Sequence, residues 1–179
     1  MVTTRTLTAE DLWATPEDAR GELLDGEMLP VNPVTNRHGV VVMRLGSRLT
    51  VWAEEHRFGD TGTEVGFLLR REPDTVLAPD VSLVAASDTA DLPSRGFAEA
   101  VPVLAAEVLS SDDGPREIAR KVAISLGAGV ALVWVVDPAR RTVAVHQPGR
   151  EPRVLGGDDV LEGGEVLPGF AVALAYLFA

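Results

Sequence analysis

The chain contains no cysteine. That excludes disulfides and thiolate-bound metals, and it fits a reducing compartment, so the protein is expected in the cytoplasm. Aromatic residues make up only 5% of the chain, so its core must be built mainly from Val, Leu and Ala. Long apolar runs are missing as well. AGVALVWVV (128–136) is nine residues and FAVALAYLFA (170–179) is ten, whereas a membrane helix needs about 20. The start, MVTTRTLTAEDLW, has no apolar segment of the kind a signal peptide carries. No GxGxxG or GxxxxGK loop is present to cradle phosphates, which argues against a small-ligand nucleotide-binding α/β domain.

Positive charge is also scarce: 16 basic residues stand against 27 acidic ones, for a net charge of −11. A protein that grips many phosphates usually carries a basic patch. The available clusters are thin: Arg37, Arg44 and Arg48; Arg70 and Arg71; Arg116, Arg120 and Lys121; Arg140 and Arg141. The balance speaks against tight, nonspecific DNA binding by the lone chain. It leaves a metal site open, because hard cations take acidic ligands.

What is present describes a globular chain. Its 179 residues, 46% hydrophobic and 24% charged, suit one domain over 1–179 with a substantial core. TAEDLWA (8–14) predicts a short helix with Thr8 as N-cap and Asp11 close to a capping box. ELLDGEML (22–29) predicts a hairpin turning at Asp25-Gly26. From His38 to His56, Val41, Leu45, Leu49, Trp52 and Ala53 recur at helical spacing, and FGDTG (58–62) stops that helix. TEVGFLLR (63–70) and PDVSLVAA (79–86) read as strands, 87–101 as a surface loop, and VLAAEVLS (103–110) as another strand. A helix then begins with Pro115 in its first turn and ends at GAG (127–129). VALVWVV (130–136) predicts a central strand, and TVAVHQ (142–147) a hairpin partner across the DPARR turn. Short strands follow, and AVALAYLF (171–178) reads as a closing helix. The fold class is α/β, with a mixed sheet flanked by helices and extra β-hairpins.

The chemistry begins with VLAPDVSLV (76–84). Pro79 cannot donate to a strand ladder, so it marks a strand edge or start, and Asp80 follows it on a rigid element. Asp80 alone is a turn aspartate at the head of a strand. A second carboxylate changes that reading. Glu107 interrupts the apolar AAEVLS, where a charge is costly without partners. Lys121 follows fourteen residues later on the next helix. Two carboxylates can hold Mg²⁺, or Mn²⁺, while the ion keeps several waters. The ion polarises a phosphoryl oxygen and activates water, and a lysine stabilises the charge growing on the phosphate. Each residue has a plainer alternative. Glu107 could reach a hairpin edge, and Lys121 could pair with Glu117 four residues before it. Glu22 reads equally as a further acid or as a solvent-facing hairpin residue. His38, at a helix start, reads as a cap, a surface residue or a base. Glu64, beside a strand start, is a weaker candidate.

The combination of PD (79–80), E-x-L (107–109) and a helical lysine resembles the PD-(D/E)XK nuclease superfamily. The ordered set of ELLDGE, His38, APDVSLV, AAEVLS, the Lys121 helix ending in GAGV, VWVVDP and LPGF resembles its bacterial Uma-type branch of restriction-endonuclease-like proteins. It runs from about residue 8 to the end. The resemblance implies a restriction-endonuclease-like core with a cation at the strand ends. It implies Asp80 and Glu107 as metal ligands, Lys121 as the catalytic lysine, and DNA as substrate. The sequence departs from the superfamily pattern at Leu109, where a lysine is expected; Lys121 takes that role by position.

Two functional readings follow. One is a Mg²⁺-dependent endonuclease hydrolysing phosphodiester bonds of DNA. The other is a catalytically silent nuclease-fold module that binds or regulates a partner, which the negative charge favours. The apolar C-terminal strands and AVALAYLF tail suggest surface that a small domain leaves uncovered, and hence a two-fold homodimer.

Overall fold

A computed structural model describes residues 6–179 apart from 17–18, 20, 31–33, 90–91, 94 and 112. Helix α1 (Ala9–Ala14) opens on a full capping box: Thr8 Oγ1 accepts from Asp11 N–H, and the Asp11 carboxylate accepts from Thr8 N–H. Strands β1 (Gly21–Leu24) and β2 (Glu27–Pro30) follow. They turn at Asp25 and Gly26, both with positive φ (52° and 77°), as a type I′ turn requires. Next come α2 (Asn36–His56), β3 (Gly59–Gly62), β4 (Phe67–Arg70), β5 (Thr75–Leu77), β6 (Val81–Ala85), α3 (Ala86–Thr89) and β7 (Leu104–Val108). The rest comprises α4 (Pro115–Ala128), β8 (Leu132–Asp137), β9 (Thr142–His146), β10 (Arg153–Gly156), β11 (Val160–Glu162), β12 (Ala171–Ala173) and α5 (Leu174–Leu177).

A six-stranded sheet in the order β10-β9-β8-β7-β6-β3 forms the centre. Its parallel pair is β7–β8, bridged by α4; the other neighbours run antiparallel. The sheet is mixed and helix-flanked, as the sequence implies, and β8 lies inside it. The α2 stripe of Val41, Leu45, Leu49, Trp52 and Ala53 packs on Leu104, Ala106, Val108 and Trp134 in the largest core cluster. The opposite face carries Ala105 and Val133, covered by Val122 and Ile118 of α4. A four-stranded antiparallel sheet, β2-β1-β5-β4, stands beside the first. Its cluster joins Leu23, Leu68 and Val76 to Ala9 and Leu12 of α1.

Several expectations are corrected. FGDTG does more than stop α2. Arg57 ends the helix in the left-handed region at φ 50°, and Gly59–Gly62 then forms the edge strand β3 along β6. A Cβ on Gly59 would lie 1.9 Å from the Val84 carbonyl oxygen, so glycine is what allows that close approach. TEVGFLLR is strand only over Phe67–Arg70. VLAPDVSLV is two strands in two sheets, β5 and β6, with Ala78, Pro79 and Asp80 at the corner between them. The 87–101 loop begins inside α3, and Ala98 bridges to Phe67. At the C-terminus only Leu174–Leu177 is helical, preceded by strand β12. Phe170, Val172, Leu174, Leu177 and Phe178 are buried in the main core. The apolar tail behind the homodimer expectation therefore covers the chain's own sheet. Among the described residues no helix is long and apolar enough to cross a membrane.

Candidate active site

The antiparallel register of β6 and β7 pairs Val81 with Ala106 and Ser82 with Ala105. Asp80 directly precedes that ladder and Glu107 directly follows Ala106, so the register, carried one step on, leads from one acid to the other. Residues directly opposite share a sheet face, so two acids 27 positions apart in the chain become neighbours. The pleat decides which face. Ala106 and Val108 pack toward α2, so Glu107 points the other way, toward α4. Asp80 is anchored where β6 begins: the Val108 N–H donates to its Oδ2 at 2.7 Å. Pro79, buried at the sheet-to-sheet corner, gives this carboxylate a rigid base.

Lys121 comes from the middle of α4, one turn after Ile118 and beside Val122, which seat the helix on the sheet. Its Nζ lies 3.7 Å from Glu107 Oε2 and also touches Glu22 Oε2. All three side chains are at least about nine-tenths buried, Lys121 and Glu107 being 11% exposed and Glu22 6%. Glu22 is therefore a buried member of the cluster and not the solvent-facing hairpin residue that was one of its two readings. Its other oxygen, Oε1, accepts from the Ala78 N–H at 2.8 Å. Lys121 turns to these two acids, and no Lys121–Glu117 ion pair forms among the described residues.

His38 sits in the first turn of α2, but Thr35 is the cap, its Oγ1 accepting from the His38 N–H. The ring is buried, and its Nε2 stands 3.2 Å from Asp80 Oδ1. A carboxylate only accepts, so this contact calls for the Nε2–H tautomer. His38 Nδ1 is left buried without a hydrogen-bond partner. His38, Asp80, Glu22, Glu107 and Lys121 line one cleft of about 610 Å³. Glu64 lies on its wall.

The cleft carries too much negative charge for its cations. Burial pushes the Glu107 carboxyl up to about 8; Lys121 opposes this, while the Glu22, Asp80 and Asp113 carboxylates add to it. Burial also raises Asp80, against the Val108 N–H bond and His38, which favour its ionised form. For Lys121, burial alone would lower the pKa. The Glu107 and Glu22 carboxylates more than offset this, so the ammonium stays charged.

Sequence reasoning missed Asp113, on the cleft wall, whose Oδ2 accepts from the Ser110 N–H at 2.6 Å. Its signal was an acidic loop, SSDDGP, directly after the Glu107 strand. The backbone donors of Ala78 and Val108 had no signal in side-chain identity.

The chain matches the family model of Uma2, described as "Putative restriction endonuclease", over residues 9–175. No curated protein matches. Among solved structures it is similar in fold to one described as "a putative nuclease belonging to DUF820" from Anabaena variabilis, at TM-score 0.84 and 19% identity. The alignment covers 96% of this chain and 97% of that one. With nearly its whole length matched, the chain belongs to the Uma2 family.

Proposed function

We propose that the protein is a divalent-cation-dependent endonuclease that hydrolyses phosphodiester bonds of DNA at the Asp80, Glu107 and Lys121 cluster. The observation that carries this reading is that Asp80 and Glu107 line one cleft with the Lys121 ammonium 3.7 Å from Glu107. The family description and the fold likeness support the class of reaction.

The residues suit a hard cation. Glu107 is a buried carboxyl whose pKa is forced upward, which is what a site short of positive charge looks like. Among the described residues no group of three or more His, Asp or Glu side chains is placed to hold a metal ion. Two carboxylates with open positions suit Mg²⁺ or Mn²⁺, which retain waters and take substrate phosphate oxygens. Bound between Asp80 and Glu107, the ion would polarise a phosphoryl oxygen and lower the pKa of a water.

The chain's own groups do the rest. Val108 N–H and His38 hold the two Asp80 oxygens, fixing the direction of that carboxylate. Glu22, itself held by the Ala78 N–H, keeps Lys121 charged and aimed into the cleft. Lys121 places its ammonium where negative charge grows on the phosphate. His38 and Glu22 are positioning residues; Asp80, Glu107 and Lys121 are the catalytic set.

The competing reading is a silent binding or regulatory module. It is favoured by the tied-up cations: Arg70, Arg71, Arg120 and Arg140 all engage carboxylates. Incubation of the purified protein with plasmid and linear DNA, with and without Mn²⁺, separates the two. The expected result is cation-dependent cleavage that drops roughly 10²–10³-fold or more in Asp80→Asn and Glu107→Gln. Cleavage that persists in both variants, or none in the wild type, defeats the proposal. Persistence would locate the chemistry elsewhere, and absence would favour the silent module.

A further inference from the structure

A second groove, also of about 610 Å³, opens beside the cleft on the α4 side of the sheet. The two share Ser110, Asp113 and Ile118, so they meet around the loop between β7 and α4. The groove passes the carboxyl ends of β7 and β8, the parallel pair. The crevice beyond the carboxyl ends of such strands is where open α/β sheets receive ligands. Its floor is apolar, formed by Val122, Val135 and Ala144. Its rim carries Arg37, Arg140 and the His146 ring.

These rim groups include arginines, which the lining of the cleft lacks. Arg37 directly precedes His38, is exposed, and has no carboxylate partner among the described residues. Arg140 is held by Asp137, its Nη1 donating to Oδ2 at 2.9 Å. His146 is half-buried, and burial lowers its pKa, so at neutral pH it presents an uncharged ring. A flat neutral ring above an apolar floor suits a base face, and an unpartnered guanidinium suits a phosphate. The acidic cleft has aromatic rings of its own in Trp13 and Phe97, but no guanidinium lines it.

Building on the nuclease reading, we propose that this groove is a subsite for one unstacked nucleotide next to the phosphate under attack. Its base lies on the apolar floor against the His146 imidazole, and Arg37 meets its phosphate. The continuity of the two hollows supplies the path: a strand whose scissile phosphate sits by Lys121 runs past Ser110 and Asp113 into the groove. The chain thus takes unpaired or locally opened nucleic acid, and Arg37 and His146 set affinity and not the chemical step.

Anisotropy binding of the full chain to a labelled oligo-dT and to an abasic sugar–phosphate oligomer of equal length, with Ca²⁺ present, tests this. His146→Ala should weaken oligo-dT binding about tenfold, as loss of one stacked base does, and leave the abasic oligomer unaffected. Arg37→Ala should weaken both and reduce the salt slope by about one phosphate. His146→Phe restores a ring and should restore binding, while thermal melts establish that each variant folds. Arg37 is exposed, so its variants report even if His146→Ala is unstable. Wild-type binding of oligo-dT by both alanine variants, in a protein whose cleavage still depends on Asp80 and Glu107, overturns the subsite and spares the nuclease. A wild type that neither binds nor cleaves overturns both. Equal weakening of both oligomers by His146→Ala overturns the base-stacking role.

Discussion

Ala106 and Glu107 are adjacent on β7 and face opposite worlds. On the α2 side, Ala106 is fully buried among Val41, Leu45, Leu104 and Trp134. On the α4 side, Glu107 is almost as buried, yet it meets Lys121 and the fields of Glu22, Asp80 and Asp113. The pleat alone separates them. One face gains its stability from apolar area removed from water, at about 25 cal/mol per Å². The other keeps charges in a place where their desolvation opposes folding. A strand can therefore hold a site without disturbing the core behind it, provided that the charges stay on their own side.

Moving the carboxylate across the pleat tests that separation most severely. Ala106→Glu would bury an unpaired acid and overpack the α2 face. The expected cost is more than about 5 kcal/mol, enough to remove the folded state. Circular dichroism and urea melts read this directly. A folded Ala106→Glu protein of near-native stability would show that the α2 face is far less tightly packed than its burial indicates.

The same contrast explains what the sequence disclosed. Faces built by periodicity were legible: the α2 stripe from Val41 to Ala53 and the Asp25-Gly26 turn need only local rules. The candidate acids were legible because a charge inside AAEVLS conflicts with its surroundings. Two-sheet topology was not legible. Nothing local says that the chain changes sheets at Pro79, and the short glycine-rich β3 reads as a helix stop because its strand character comes entirely from β6. Glu22 was ambiguous for the same reason. Whether a hairpin residue faces water or Lys121 depends on where α4 packs, which is a long-range fact.

A middle-sized effect is expected at Lys121. Lys121→Met removes the one ammonium shared by Glu22 and Glu107, leaving two buried acids facing each other. Glu107 then keeps its proton to still higher pH, Glu22 loses its cation, and stability falls by about 2 kcal/mol in metal-free protein. Adding Glu107→Leu to Lys121→Met should recover part of that loss, because an apolar pair replaces one of the two ionic contacts while Glu22 stays behind without its ammonium. Cleavage should not recover. A double variant that regains activity would show that the charged face serves packing alone.

The most gradual effect is a pH dependence confined to the α4 face. The Glu107 carboxyl titrates at about 8 in the folded chain, against an ordinary value of 4.5. Below the ordinary value both folded and unfolded states hold the proton, and the group contributes no difference. Between the two values only the folded state holds it, so stability declines as pH rises, by at most about 1.4 kcal/mol per pH unit. Above about 8 both states are ionised, and the full penalty of a buried charge is present. Asp80, also raised, contributes in the same direction. Metal-free protein should thus melt at progressively lower temperature from about pH 5 to pH 8, with Glu107→Gln flattening most of the decline. Mg²⁺ or Mn²⁺ should raise the melting temperature more at pH 8 than at pH 6, because the ion displaces the proton Glu107 otherwise keeps. A melting temperature that rises with pH across this window, or a cation effect unchanged in Glu107→Gln, would mean that Glu107 is ionised and satisfied by Lys121 alone, and the charged face would then have no vacancy for a divalent ion to fill.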